Sequence, residues 1–269
     1  MKGTYSPVFG TSFRAMLKQQ FLLLTRYPVN LLANFLLVLI VVIVVTLAIT
    51  LFAPPEMASK FRGITLCGFV IYIFLTHTIW TVGFGIQKER VEGTLTSLYL
   101  SPASRFATLL ARSVVGLSWT AIAGTVGLLI ALVFTGPLTF HQPWLALGIL
   151  LLTISGFIGL GFAIAGFTLR FGETVELAAN VLEFGLMGLC AFFFPFSVLP
   201  GTLQNVARVI PLSYSVDAFR TVSLGQAQPE LLPLQAELII VAVTGLLGPL
   251  VGYIIYLINE KSLRQQGTL

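Results

Sequence analysis

Charge is the scarcest ingredient of this chain. Asp, Glu, Lys and Arg make up only 9% of its 269 residues, against about a quarter in an ordinary soluble domain. With 57% hydrophobic residues and a mean hydropathy of +0.96, a soluble fold has too little polar surface to clothe the chain, so a bilayer is the expected solvent. Basic clusters are missing as well. The net charge of +5 is scattered, with no basic run and no base-reading motif, and no nucleic-acid partner is expected. Cys67 and Cys190 stand singly in apolar runs without CxxC spacing, so they read as small packing residues rather than a redox or metal pair. His77 and His141 are isolated, neither opens an HExxH pattern, and no metal site is expected. No Gly-Lys dipeptide occurs, hence no phosphate-cradling Walker A loop, and no Gly-x-Ser-Gly segment points to an intramembrane protease. No catalytic residue is expected, and the chain does not read as an enzyme.

What the chain has in quantity is long apolar runs. A helix needs about 20 residues to cross a roughly 30 Å hydrocarbon core, and six runs reach that length, at about 29–52, 63–86, 107–134, 144–169, 177–195 and 234–258. They are continuously apolar and lack the alternation of barrel strands, so the expected fold class is an all-α integral membrane protein with six transmembrane helices. The basic residues orient it. With the N-terminus inside, Lys2, Arg14, Lys18, Arg26, Lys88, Arg90, Arg105, Arg112, Arg170, Lys261 and Arg264 face the cytoplasm. Lys60, Arg62, Arg208 and Arg220 face out, 11 against 4 of the 15, which puts both termini in the cytoplasm. The residues before the first run are polar or amphipathic, and that run is too long for a signal core, so no cleavable signal is expected.

Two connecting regions are more apolar than plain loops. Phe13, Met16, Leu17, Phe21 and Leu24 recur at helical spacing with Arg14, Lys18 and Gln19 on other faces, the pattern of an interfacial helix on the cytoplasmic leaflet. The outer segment from Pro195 to Pro233 carries Phe196, Val198, Leu199, Leu203 and Val206. Its start, AFFFPFSVLP, reads as the end of span five bending at Pro195 and Pro200, followed by short re-entrant helices before span six. Non-helical backbone at that depth needs shielding by protein or water, which a second subunit would supply.

Between spans two and three lies QKERVEGTLTSLYLSP, Gln87 to Pro102. Val91, Leu95 and Leu98 fall on one stripe, Gly93 interrupts it, Thr94 caps a fresh turn, and Ser101 caps the next helix with Pro102 in its first turn. The pattern alone fits a loop helix resting on lipid as well as a docking helix. The residues E-x-x-E-G-T-L-x-x-L-x-x-S-P, however, resemble the signature of the ABC-2 family of transporter membrane subunits, in which this segment is a coupling helix seated in a groove of the ATP-binding subunit. TRYPVNLL (25–32) is similar to that family's entry to span one, FFFPFSVLPGTLQNVARVIPLSYSVDAFR (192–220) to its outer re-entrant region, and NEKSLRQQGTL to its basic tail. Glu89 lies three residues before Glu92 where the family usually has two, and Thr96 stands where Glu often follows Gly-Thr-Leu.

The resemblance implies one ABC-2 domain over 1–269, with an interfacial helix over 1–28, a six-span region over 29–258, a coupling helix near 87–101 and a cytoplasmic tail over 259–269. It implies the permease subunit of an ATP-driven exporter in a bacterial-type inner membrane, moving an amphipathic substrate such as a drug, antibiotic, lipid or lipid-linked glycan. Glu89, Glu92, Gly93, Thr94, Leu95, Leu98 and Pro102 would couple to the ATPase. ATP and Mg would bind on that partner, in two copies, with no cofactor in this chain. A second copy, or a similar permease, would complete the pathway. Pro195, Pro200, Pro211, Asp217 and Arg220 would shape the outer region. The competing expectation is an ATP-independent secondary transporter or channel, which calls for midplane ionisable residues and an internal repeat; no repeat is visible.

Polar residues within the runs need their own account. Glu173, Glu176, Asn180 and Glu183 are spaced 3, 4 and 3 apart, on one helical stripe. Glu173 and Glu176 read either as solvated or as a second ATPase contact. Glu183 lies about 10 Å deeper than Glu176, where a carboxylate is costly unless paired or wet. Arg112 sits at similar depth on span three. It either snorkels to the surface, or pairs with Glu183 or shares a wet gate vestibule with it and Asn180. Phe192, Phe193, Phe194 and Phe196 either line an exit path or pack between helices. Asp217 and Arg220, i and i+3, are expected to pair with each other.

Overall fold

The computed structural model describes residues 9–26, 36, 40–41, 43–44, 47, 58–93, 104–135 and 140–265. Their regular structure is helical: α1 (Phe9–Arg26), α2 (Ala58–His77), a π-helical segment (Thr78–Gly83), α3 (Gly85–Val91), α4 (Arg105–Thr135), α5 (Pro143–Phe171), α6 (Thr174–Leu189), α7 (Gly201–Ala207), α8 (Pro211–Leu224) and α9 (Leu234–Gln265). Four stretches among the described residues are long and apolar enough to cross a membrane: Phe61–Val91, Arg105–Val133, Pro143–Phe171 and Leu234–Leu263. They coincide with the expected spans two, three, four and six. The expected span one, at 29–52, lies almost wholly outside the described residues, as do Thr94, Leu95, Leu98 and Pro102 of the expected coupling helix.

The expected span five is corrected. Its helix, α6, has 16 residues, about 24 Å at 1.5 Å per residue, and it stops at Leu189 instead of bending at Pro195. The chain turns at Ala191, a non-glycine residue with φ 50°. The prolines open the next elements rather than breaking α6. Pro195 leads into a 3-10 turn (Phe196–Val198), Pro200 leads into α7, and Pro211 sits in the first turn of α8, where its missing N–H removes no helical bond.

Helices α5 and α9 form the tightest pair. A Cβ on Gly252 would stand 1.9 Å from the Gly159 carbonyl oxygen, and one on Gly159 would stand 2.1 Å from that of Gly248. The two backbones therefore touch, and Ser155 Oγ donates to Gly245 O at 2.7 Å across the same seam. Lipid tails are as apolar as leucine, so close small-residue packing of this kind, rather than exclusion from water, joins helices in a bilayer. The main core gathers Phe69, Ile71, Leu75 and Ile79 of the second span with Ile149 of α5, Phe192, and Val216 of α8. A second cluster, with Val82, Ile86, Leu109, Phe162, Leu169 and Tyr256, joins the other end of the same helices. Helix α1 lies against the start of α4: the Phe9 and Phe106 rings are 6.1 Å apart and Ser104 N donates to Ser12 Oγ at 3.3 Å. Met16 is buried there, while Phe21 and Leu22 stay exposed.

Candidate functional site

Three sets of polar side chains tie the helices together, and their chemistry differs. The first lies where the second span ends. Glu89 forms an ion pair with Arg112 of α4, and Arg112 is only 6% exposed. One residue on, Arg90 Nη2 donates to Leu169 O at 2.7 Å, one of the last-turn carbonyls of α5 that no intrahelical N–H can reach, and a cation there also suits the helix dipole. Nearby, Arg105 at the start of α4 pairs with the buried Glu260 of α9 at 2.7 Å. Arg112 thus neither snorkels nor meets Glu183. The side chain reaches Glu89 because Gly85, one turn earlier, leaves room: a Cβ there would lie 2.4 Å from Arg112 Nη1. Beyond Glu92, Gly93 takes φ +70°, the left-handed conformation in which glycine ends helices at little cost. The exposed Lys88 and Glu92 approach only to 3.9 Å, a contact worth little in water.

The second set surrounds Glu183, 5% exposed on α6. Its Oε1 accepts hydrogen bonds from Tyr72 OH at 3.0 Å and Thr76 Oγ1 at 2.7 Å, and its Oε2 accepts from Trp80 Nε1 at 2.7 Å. These donors stand at i, i+4 and i+8, and Trp80 belongs to the π-helical segment. Trp80 stacks on Phe84, with ring centroids 5.1 Å apart, and Tyr72 meets Phe192 and Phe193 edge-on at 5.6 and 5.4 Å. Phe192 and Phe196 are buried packing residues, while Phe193 is half-buried against Tyr72. Asn180 turns to its own helix, donating to Glu176 O at 3.0 Å. Glu173 and Glu176 are exposed at the start of α6, where their charge suits the helix N-terminus.

The third set lies about 30 Å from the first along the second span, counting from Gly68 to Glu89 at 1.5 Å per residue. Arg220 of α8, 3% exposed, gives Nη2 to the carbonyls of Ala191 and Phe192, the latter at 2.6 Å, and Nη1 to Phe194 O at 3.1 Å. It gathers the carbonyls of the irregular turn that follows α6. Burial lowers its pKa to about 10, so the guanidinium keeps its charge at neutral pH. Asp217 does not pair with Arg220 as their spacing suggests. Its Oδ2 accepts from the amides of Glu230 and Leu231, both at 2.8 Å. Glu237 Oε1 accepts from Leu232 N at 3.2 Å, and the exposed Glu230 accepts from Ser197 N at 2.9 Å. Burial raises the Asp217 carboxyl above its ordinary range, and hydrogen bonds from Leu231 and Glu230 and contact with the Glu237 carboxyl only partly offset this.

Tyr72, Thr76 and Trp80 escaped the sequence reading, although a polar-edged stripe repeating every four residues within an apolar run was there to find. Glu237 and Glu260, fully or nearly buried, were passed over because they sit near the ends of a span.

Apolar helices of spanning length, joined by buried charges that satisfy one another or the backbone, define a polytopic helical membrane protein. The ABC-2 type transporter family model matches residues 11–224, most of the chain, and the chain belongs to that family. It is an ABC transporter permease, a membrane subunit of transport that is not itself catalytic and that in this family generally pairs with an ATP-binding subunit. No curated protein matches the chain.

Proposed function

We propose that this permease is the membrane-spanning subunit of an ATP-driven exporter, and that the segment near 87–101 is the lever through which a separate ATPase moves it. The observation that carries this reading is the double anchorage of that segment's start. Glu89 is tied to α4 through Arg112, and Arg90 is tied to α5 through Leu169 O, so a push on the segment reaches two further spans directly. Glu92, Gly93 and the residues through Pro102 then face the ATPase groove, and the exposed Glu173 and Glu176 offer it a second contact. ATP and Mg bind on the partner, in two copies. Two permease chains form the pathway in a bacterial-type inner membrane with their termini in the cytoplasm, and the cargo is amphipathic: a drug, antibiotic, lipid or lipid-linked glycan.

The test is recovery of the tagged chain from its native membrane in mild detergent, beside a Glu92→Lys, Leu95→Asp variant. A Walker-motif ATPase held by the wild type and lost from the folded variant supports the lever. An intact chain that brings down no ATPase moves the reading to an ATP-independent transporter or channel.

A further inference from the structure

We propose that Glu183, with Tyr72, Trp80 and Phe84, forms a binding site for an organic cation with an apolar or aromatic body. The inference rests on the exporter reading for its purpose, since it would make such cations the cargo class, but its geometry stands independently.

The first argument is the balance of charge. Glu183 is 5% exposed and receives three donated hydrogen bonds, all from neutral groups. The Trp80 indole N–H can only donate, and the Tyr72 and Thr76 hydroxyls can donate as well, so all three contacts are compatible with a carboxylate. No lysine or arginine among the described residues forms an ion pair with it. Arg112 is engaged by Glu89, Arg105 by Glu260, Arg90 by the Leu169 carbonyl, and Arg220 by the carbonyls after α6. The hydrogen bonds fix where the carboxylate points without cancelling its charge. An ionisable group kept within apolar helices at such cost marks a functional site.

The second argument is the wall around it. Tyr72, Thr76, Trp80 and Phe84 are all half-buried, so the stripe is covered by α6 but not sealed. The Trp80 and Phe84 rings are stacked and the Tyr72 ring is braced by Phe193, which presents fixed aromatic faces beside a fixed negative charge. Aromatic faces attract cations, indole most strongly, and an anionic group among aromatic walls is how quaternary ammonium ligands are commonly recognised.

The third argument is the backbone. In a regular α-helix every fourth residue drifts about 40° round the axis, so a stripe at i, i+4, i+8 and i+12 would wind away from Glu183. The i→i+5 turns of Thr78–Gly83 hold more than four residues each and turn that drift back, keeping Trp80 over the carboxylate. π-Helical turns inside α-helices recur at functional sites, and this one carries the indole that touches Glu183.

The test uses the full chain in detergent or nanodiscs, with Trp119→Phe and Trp144→Phe, so that Trp80 is the remaining indole of the three. Tetraphenylphosphonium is titrated against its anionic isostere tetraphenylborate while Trp80 emission is followed. The expected result is a saturable change with the cation, at least tenfold weaker with the anion, and at least tenfold weaker for the cation after Glu183→Gln in a monodisperse sample. Phe84→Leu, which leaves the carboxylate untouched, should weaken cation binding severalfold. Equal affinity for the two isosteres, or unchanged cation affinity in Glu183→Gln, overturns the proposal, and the isostere comparison needs no Glu183 variant to fold. Cation binding without a recovered ATPase keeps the site and removes the exporter. A recovered ATPase without cation binding does the reverse.

Discussion

The two ends of the helical bundle handle buried charge differently. At the Arg112 end, charges on separate helices meet each other: Glu89 with Arg112, Arg105 with Glu260. At the Arg220 end, the buried polar groups turn mainly to backbone, beside one carboxyl contact between Asp217 and Glu237. Arg220 holds three carbonyls, Asp217 two amides and Glu237 one. Side chain to side chain contacts are made by the tips of long, rotatable stems and can be remade at a new offset. Contacts to the backbone of an irregular segment fix that segment's path, because its polar groups have no other partner inside apolar surroundings. The Arg112 end is thus held by adjustable side-chain contacts and the Arg220 end mainly by contacts to backbone.

Two glycines give the sharpest way to break this comparison. A Cβ on Gly68 would lie 1.5 Å from the Phe192 carbonyl oxygen, whereas a Cβ on Gly85 would meet the tip of Arg112 at 2.4 Å. Gly68→Ala, which meets backbone, should yield little folded protein, and Gly85→Ala, which displaces only the end of a flexible side chain, should lose clearly less, both measured by monodisperse yield after detergent extraction. Equal tolerance of the two would end the distinction between a fixed and an adjustable end. Next in size, Arg220→Met leaves three carbonyls without a donor, each costing about 1–3 kcal/mol, and should lower the unfolding temperature more than any other single change of a charged residue here. At the other end Glu89→Gln should cost about 3–5 kcal/mol by stranding a buried arginine, while the Glu89→Met, Arg112→Met pair should regain most of that loss. If the segment near 87–101 is the proposed lever, the double variant should fold but transmit poorly, read as ATPase activity uncoupled from transport. The smallest effect concerns pH. Because burial raises the Asp217 carboxyl in the folded state, the folded form keeps a proton that the unfolded chain has lost, so this contribution to stability is greatest in acid and falls as pH rises through the raised value. Thermal midpoints at pH 5 and pH 8 should show that slope, and Asp217→Asn, which removes one carboxyl of the Asp217–Glu237 contact, should reduce it.

Much of the architecture was legible in the residues themselves. The runs at 107–134 and 144–169 match helices that begin at Arg105 and Pro143, because apolar length and a first-turn proline are local signals. What failed was everything that depends on azimuth or on distant chain. Counting residues put Arg112 and Glu183 at similar depth, but depth says nothing about which way a side chain faces. The partner of Arg112 was Glu89, a residue whose resemblance to a coupling signature had claimed it for another role. The early end of α6 was equally hidden. Leu189 to Phe194 contains neither glycine nor proline, and the arginine that rewards stopping there comes 31 positions after Leu189, at Arg220. Spacing likewise matched Asp217 to Arg220, since three residues round a helix bring two side chains to one face, yet loose backbone nearby offered each a better partner.

The seam between α5 and α9 has a mechanical meaning. Backbone rests on backbone at several heights, from Gly156 against Thr244 to Gly166 against Tyr256, leaving no intervening side chain whose rotation could let one helix slip along the other. In kinematic terms the two helices count as one part. Any rearrangement among the described helices would carry α5 and α9 together, as a single splint against which the others are placed.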